Sequence, residues 1–364
     1  MPNNHFETPQ LTMQSDNRLT RHIITVDATL RDAFRMLNAL SGSNMTLFAV
    51  DPRGRLAGSL TDGDLRRAVI AGRSLDDRVA DAMRPDCMKL RHGEQRFRIV
   101  AEARRRAIRM LPVVDDAGLV VELIDLRNLK TVLPIDAVMM AGGRGERLRP
   151  LTLDCPKPLL KVGGKAIIDY NVDELMACGV ENIYVTVNYL KEQIINHFDA
   201  PTYRGKVECI AEPRRLGTMG SVALIDSLTA DHVLVMNSDL LTTIDFEAMY
   251  IGHAESGAAL TVAAIPYTVS VPFAILRTEG ADVKGLTEKP TYNYFANAGV
   301  YIMRREVAES IPKGEYLDAP DLMTRLIADG ETVRYYPIDG TWIDIGSPDD
   351  YRYANELMSR SVKL

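Results

Sequence analysis

From residue 19 onward the apolar positions of the chain group into short runs and amphipathic stretches that alternate in a fixed order. The run at 23–26 predicts a strand, the amphipathic stretch at 29–40 a helix, the runs at 46–51 and 55–60 two further strands, and 61–71 a second helix. The same order recurs at 88–90, 98–110, 111–115, 119–123 and 125–129. Val50-Asp51 maps onto Val114-Asp115 at an offset of 64 residues, which duplication of a compact unit explains. In Val132-Leu133-Pro134 the proline then separates the second repeat from a new apolar run.

Beyond that boundary the pattern reads strand 135–140, helix 169–176, strand 182–187, helix 191–198, strand 207–211, helix 218–228 and strand 233–236. Such alternation predicts an α/β fold whose sheet is mostly parallel and covered on both faces, with ligands at the carboxyl ends of its strands. At roughly 100–200 residues per domain, a chain of 364 residues predicts two domains. They are expected at 19–132 and 135–364, behind a polar leader at 1–18 that is expected to be mobile.

Composition narrows the function. With 46% hydrophobic residues the chain can build ordinary cores, which excludes collagenous and wholly disordered classes. Its 43 Lys and Arg against 49 Asp and Glu give a net charge of −6, which argues against nucleic acid as a partner and leaves any bound anion to a pocket. Arg104, Arg105, Arg106 and Arg109 read as a solvated helical face. The four cysteines, Cys87, Cys155, Cys178 and Cys209, have neither metal-ligand spacing nor the density of a secreted scaffold, and are expected as reduced, packed thiols. No apolar run reaches the ~18 residues needed to span a bilayer, and the first residues lack the pattern of an export signal. A cytoplasmic protein with no membrane partner is the expectation.

Chemistry concentrates after the strand at 135–140, in Ala141-Gly142-Gly143-Arg144-Gly145-Glu146-Arg147-Leu148. The glycines Gly142, Gly143 and Gly145 let backbone N–H groups approach a ligand, and the neighbouring arginines supply charge, so a phosphate-binding turn is predicted. Leu148 occupies the place of the third glycine of the dinucleotide fingerprint, and no Gly-Lys-Ser/Thr follows, so neither that fingerprint nor a Walker loop is present.

With the continuation Cys155-Pro156-Lys157-Pro158-Leu159, the sequence resembles the sugar-1-phosphate nucleotidyltransferases, whose signature is a Gly-Gly-x-Gly-x-Arg-Leu loop and a Pro-Lys-Pro-Leu segment. Further segments follow in that family's order: Glu212-Pro213-Arg214-Arg215-Leu216-Gly217, Asn237-Ser238-Asp239, Glu288-Lys289-Pro290, Asn297-Ala298-Gly299 and Trp342-Ile343-Asp344. The resemblance covers the C-terminal half and implies a Rossmann-like, GT-A-like domain that joins a nucleoside triphosphate to a sugar 1-phosphate. It also implies roles. Arg147 and the loop amides would hold the triphosphate, Lys157 would offset charge at the α-phosphoryl, and Asp239 and Asp344 would bind Mg2+. Glu288, Lys289 and Asn297 would bind the sugar and its phosphate, and Glu212 and Gly217 would belong to the base segment. Trp342 reads as packing beneath the metal ligand.

The repeat at 19–132 likewise resembles a tandem pair of CBS regulatory modules, through Gly58-Ser59-Leu60-Thr61-Asp62-Gly63-Asp64. There Thr61 and Asp64 would hold a regulatory nucleotide, and self-association into a homo-oligomer is implied. The second copy has Ile124 and Arg127 instead, so one nucleotide site per chain is expected.

Glu212 bears on the base. A carboxylate only accepts hydrogen bonds, which suits the N–H edge of guanine and opposes a pyrimidine O4. GTP is the favoured donor, and the resemblance to bacterial glucosamine-1-phosphate guanylyltransferases of surface-glycan synthesis puts that amino sugar first. Mannose 1-phosphate, a uridylyl-, thymidylyl- or adenylyltransferase, and a nucleotide sensor without turnover stand as alternatives.

Overall fold

The computed structural model describes residues 17–361 apart from 42, 43, 92, 93, 95 and 128. The leader expected at 1–18 lies outside the described residues except for its last two, which open the short helix Asn17–Thr20. The chain divides into two compact units, Met1–Lys130 and Thr131–Leu364.

The first unit repeats one motif. Ile23–Thr25 pairs in parallel with Thr46–Val50, which pairs antiparallel with Leu56–Thr61. Leu90–Arg91, Met110–Val114 and Val120–Asp125 reproduce that pattern. Each antiparallel pair shifts register at the same place, between Ala49 and Val50 and between Val113 and Val114. Each also turns on an aspartate that accepts the N–H of a left-handed glycine, Gly54 to Asp51 at 2.8 Å and Gly118 to Asp115 at 2.9 Å. The two turns meet through Leu56 N–H and Gly118 C=O at 2.9 Å.

Helix Leu30–Ala39 starts on a reciprocal cap between Thr29 and Asp32, and Asp62–Ile70 on the same device between Thr61 and Asp64. The order expected at 125–129 does not end in a helix. Asp125 instead accepts from the N–H and guanidinium of Arg127, at 3.1 and 2.6 Å, because this copy has no threonine and aspartate three apart to start one.

The second unit is built on a seven-stranded sheet in the order Val207–Ala211, Ile183–Val187, Ile135–Met140, His232–Asn237, Thr291–Arg304, Leu260–Ser270, Val333–Pro337. The first four are parallel, and Thr291–Arg304 runs against both of its neighbours. Ile183–Val187 is buried at every position, as a parallel strand covered on both faces must be, and the sequence meets that demand with Ile, Val, Tyr and Thr. The buried Asp136 on Ile135–Met140 is compensated by three donors: Asn182 Nδ2 at 2.8 Å and the N–H groups of Thr229 and Ala230 at 2.6 and 2.9 Å.

The helix expected at 218–228 is much shorter, one turn at Gly217–Gly220 and a 3-10 turn at Val222–Leu224. Here the chain is pinned from outside, since the N–H groups of Met219 and Gly220 both bond to Leu317 C=O, at 2.9 and 3.1 Å. Past the sheet, Leu260–Ser270 and Thr291–Arg304 extend into a ribbon, and Ile275–Glu279 with Asp282–Thr287 forms a hairpin at its end.

Candidate active site

All four parallel strands end in loops that open onto one cavity of about 940 Å3. Ile135–Met140 leads into the Gly142–Leu148 turn, Ile183–Val187 into Asn188, Val207–Ala211 into Glu212 to Arg215, and His232–Asn237 into Ser238 and Asp239. Ile135–Met140 is where the strand order reverses, with Ile183–Val187 on one side and His232–Asn237 on the other, the position at which an open α/β sheet forms a crevice. Of the residues singled out by sequence, Gly142, Gly143, Gly145, Arg147, Lys157, Glu212, Gly217 and Asp239 all line this cavity. Asp344 joins them through Lys157.

The glycine turn is built around Glu212. That side chain is only 8% exposed and lines the cavity rather than facing solvent; one carboxylate oxygen accepts the N–H of Leu216 at 3.3 Å. A Cβ at Gly142 would lie 2.6 Å from the other oxygen, so any side chain at 142 would displace the carboxylate. Burial pushes the Glu212 carboxyl above the usual range, against the pull of the Leu216 N–H and the charge of Arg215. Nearby, Thr152 Oγ1 donates to Gly145 C=O at 2.8 Å and fixes the end of the turn. Arg147 lies against Gly346, and neither it nor Arg215 has a carboxylate within ion-pair distance among the described residues. Arg144 and Arg214 line the cavity too and are likewise without a carboxylate partner among the described residues, so the four leave positive charge available to an anion there.

Asp239 and Asp344 come together although 105 residues separate them. The short strands Leu240–Thr242 and Trp342–Asp344 pair antiparallel, with Leu240 opposite Asp344, and Ile345 N–H bonds to Asp239 C=O at 3.2 Å. The Lys157 ammonium sits between the carboxylates, in contact with Asp239 Oδ2 and 3.7 Å from Asp344 Oδ1. Burial and then the charge of Asp239 push the Asp344 carboxyl above its usual range, opposed by Lys157 and Arg147.

The donor set suits a hard divalent cation. Asp239 Oδ1 is buried without a hydrogen-bond partner, which leaves its lone pairs for an ion. Among the described residues no three His, Cys, Asp or Glu side chains form a metal cage, so an ion here would complete its shell with ligand phosphate and water, as Mg2+ does.

The remaining expected residues lie elsewhere. Glu288 and Lys289 occupy an exposed turn between Asp282–Thr287 and Thr291–Arg304, with Lys289 in the left-handed region at φ 41°, and neither lines the cavity. Asn297 does not line it either; its amide donates to Tyr301 Oη and its carbonyl accepts from Gly299 N–H, both at 2.9 Å. Trp342 packs by donating Nε1–H to Ala298 C=O at 2.9 Å. Thr61 and Asp64, in the first unit, meet each other in the helix cap. There Asp64 also accepts from Arg84 Nε at 2.6 Å and Arg67 at 2.5 Å, so its oxygens are fully engaged.

Sequence reading did not assign four residues of the cavity. Ser238 donates to Met140 C=O at 2.7 Å and Asn188 to Glu212 C=O at 3.3 Å, tying neighbouring strand ends together. Thr218 and Asp318 form a clamp: Asp318 accepts Thr218 N–H at 3.0 Å and Tyr316 O–H at 2.6 Å, while Thr218 Oγ1 accepts Ala319 N–H at 2.8 Å. Ser238 stands inside a recognised motif, and Thr218 follows one directly. Asp318 lies 100 residues from its partner, in a helix cap with no distinctive neighbours.

All four cysteines are free, and burial raises the thiols of Cys87 and Cys209, the latter to about 11. No helix among the described residues is long and apolar enough to cross a membrane.

Residues 136–361 match the nucleotidyl transferase family, and residues 19–71, the first of the two repeats, match the CBS domain. A mannose-1-phosphate guanylyltransferase of Mycobacterium tuberculosis is 31% identical over 236 residues, which cover 63% of this chain and 66% of that protein. A Sulfolobus acidocaldarius protein assigned as a mannose-1-phosphate guanyltransferase is 30% identical over 244 residues, covering 63% of this chain and 67% of its own. The chain thus spans about two thirds of the length of these curated relatives. A crystal structure from Bacillus anthracis, assigned as a glucose-1-phosphate thymidylyltransferase, shares the fold at a TM-score of 0.50 and 21% identity over 62% of this chain and 95% of its own. The chain belongs to the nucleotidyl transferase family, in its sugar-1-phosphate nucleotidyltransferase branch, with a CBS domain N-terminal to the transferase fold.

Proposed function

We propose that the chain is a cytoplasmic enzyme that transfers a guanylyl group from GTP to a sugar 1-phosphate. An oxygen of the sugar phosphate attacks the α-phosphorus, the bond from that phosphorus to the bridging oxygen breaks, and pyrophosphate leaves. Both reactants are anions, so holding them in line and neutralising charge supplies most of the acceleration. The N–H groups of the 142–145 turn and Arg147 hold the triphosphate, and Lys157 balances charge growing at the α-phosphoryl oxygens. Asp239 and Asp344 would hold Mg2+, which when bound neutralises phosphate charge. Glu288, Lys289 and Asn297 are assigned to the sugar and its phosphate on their motifs.

The observation that carries the base assignment is the buried Glu212 carboxylate at the cavity wall, which can accept from the N–H edge of guanine and offers no donor to a pyrimidine O4. Mannose 1-phosphate appears in the names of both curated relatives and is the first acceptor to test, with glucosamine 1-phosphate second. Pyrophosphate release from GTP, UTP, TTP and ATP against these and glucose 1-phosphate tests the reading. Release confined to GTP supports it, preference for a pyrimidine triphosphate overturns the base, and no release from any pairing favours a sensor.

The first repeat is proposed to take one regulatory nucleotide at Thr61 and Asp64, the ligand displacing Arg67 and Arg84 from the Asp64 carboxylate, and the paired repeats to join chains into a homo-oligomer. Calorimetry of the full chain with AMP, ADP, ATP, GMP and GTP tests the first. Sedimentation tests the second.

A further inference from the structure

The two carboxylates assigned to a cation already have one. Lys157 Nζ touches Asp239 Oδ2 and lies 3.7 Å from Asp344 Oδ1, between the two carboxylates that would hold an ion. The carboxylates are brought together by backbone, through strand pairing and the Ile345 N–H to Asp239 C=O bond, so their proximity does not depend on any ion. Lys157 is only 8% exposed, and its backbone sits between Pro156 and Pro158 at the start of the turn Lys157–Leu159. The ring-restricted backbone is stiff, and what can move is the four-carbon stem.

We propose that Lys157 is the resident counter-ion of the Asp239–Asp344 pair, so that the free protein excludes a divalent cation and takes one up only when phosphates of a nucleotide draw the ammonium away. An ammonium and a divalent ion a few ångströms apart in a largely buried site repel, so the two compete for one position. Asp239 Oδ1, buried and without a partner, marks the acceptor capacity that the lysine leaves unused. One lysine thereby has two duties, neutralising the carboxylates before the nucleotide arrives and the α-phosphoryl group afterwards. The inference rests on the reading of Asp239 and Asp344 as the cation site, and on neither the base nor the sugar.

Mn2+ alone is the probe, its free concentration followed by electron paramagnetic resonance in a titration of the full chain without nucleotide. Lys157→Met should bind one Mn2+ per chain at least tenfold more tightly than the parent, Lys157→Arg should stay as weak as the parent, and Lys157→Met with Asp239→Asn should lose the gain. Lys157→Gln serves the same comparison if the methionine variant does not fold. A parent chain that binds Mn2+ as tightly as the variant, or a variant that binds no better than the parent, overturns the proposal. Pyrophosphate release by the parent in Mg2+ is measured separately. Release with no gain in the variants removes the lysine's guarding role and keeps the enzyme, and a gain with no release does the reverse.

Discussion

With 8% of its surface exposed, Glu212 has few ways to be satisfied: one oxygen takes the Leu216 N–H and the other faces the Gly142 turn. Glu212→Gln replaces an acceptor by a donor in a site with little water, and a buried unpaired group costs about 1–3 kcal/mol. The ratio of kcat/KM for GTP over UTP should therefore fall by about ten- to a hundredfold. An unchanged ratio removes Glu212 from the base site. Asp239→Asn and Asp344→Asn should each lose at least a hundredfold in turnover with melting temperatures near the parent's, since both residues are held by backbone as well as side chain. Asp318 makes a different prediction. Asp318→Ala releases Thr218 and removes one of the contacts, beside the two N–H bonds to Leu317 C=O, that hold the turn at Gly217, φ 80°, so KM for the nucleotide should rise severalfold while kcat changes little. That Glu212, Asp239 and Lys157 face one cavity was legible because each stands in a local pattern. Asp318 was not, because its role comes from a contact across 100 residues that no local spacing encodes.

The elements were legible where one periodicity dominated and failed where outside contacts took over. The parallel strands read clearly as unbroken apolar runs, and the repeat read clearly because Val-Asp recurs at each turn. The helix expected at 218–228 had the right composition, but Leu317 C=O captures its first N–H groups and the chain is extended again by Ile225. Nothing in the sequence pattern announced the ribbon beyond the sheet, whose tyrosines and leucines look like a core but lie exposed, among them Tyr267, Leu276, Leu286 and Tyr294. Helix Asp62–Ile70 offers a sharp test of what Thr61 does. As the cap it should contribute about 1 kcal/mol, so Thr61→Ala should lower the melting temperature of the nucleotide-free protein. A variant that melts like the parent without nucleotide would assign Thr61 to the ligand alone.

Across the molecule, the second unit carries an acid-sensitive point away from the cavity. His253, 1% exposed, meets His232 edge to face at 5.0 Å between ring centroids and bonds through Nδ1 to Thr261 Oγ1 at 2.8 Å. Burial, then the neighbouring His232 and Arg304, hold His253 down at about 4. Asp231, Glu306 and Arg304 face His232, and its ring contacts Tyr250. A folded-state value below the unfolded value of ~6.5 means that the unfolded chain binds the extra proton, so this contribution is complete above pH ~6.5 and is lost as pH falls towards 4. The loss approaches about 1.4 kcal/mol per pH unit. Urea melts from pH 7 to pH 4.5 should show that slope, reduced in His253→Gln.

The pairing of Leu240–Thr242 with Trp342–Asp344 also sets a timetable. A ribosome delivers the strands of the sheet in chain order, and the four parallel ones are all present once residue 237 has emerged. At that stage Asp239 has no second carboxylate, and it gains one only after a further 105 residues. The nascent domain can therefore assemble its parallel strands and glycine turn long before Asp239 meets Asp344, so the cation site proposed for that pair would be among the last features of the fold to form.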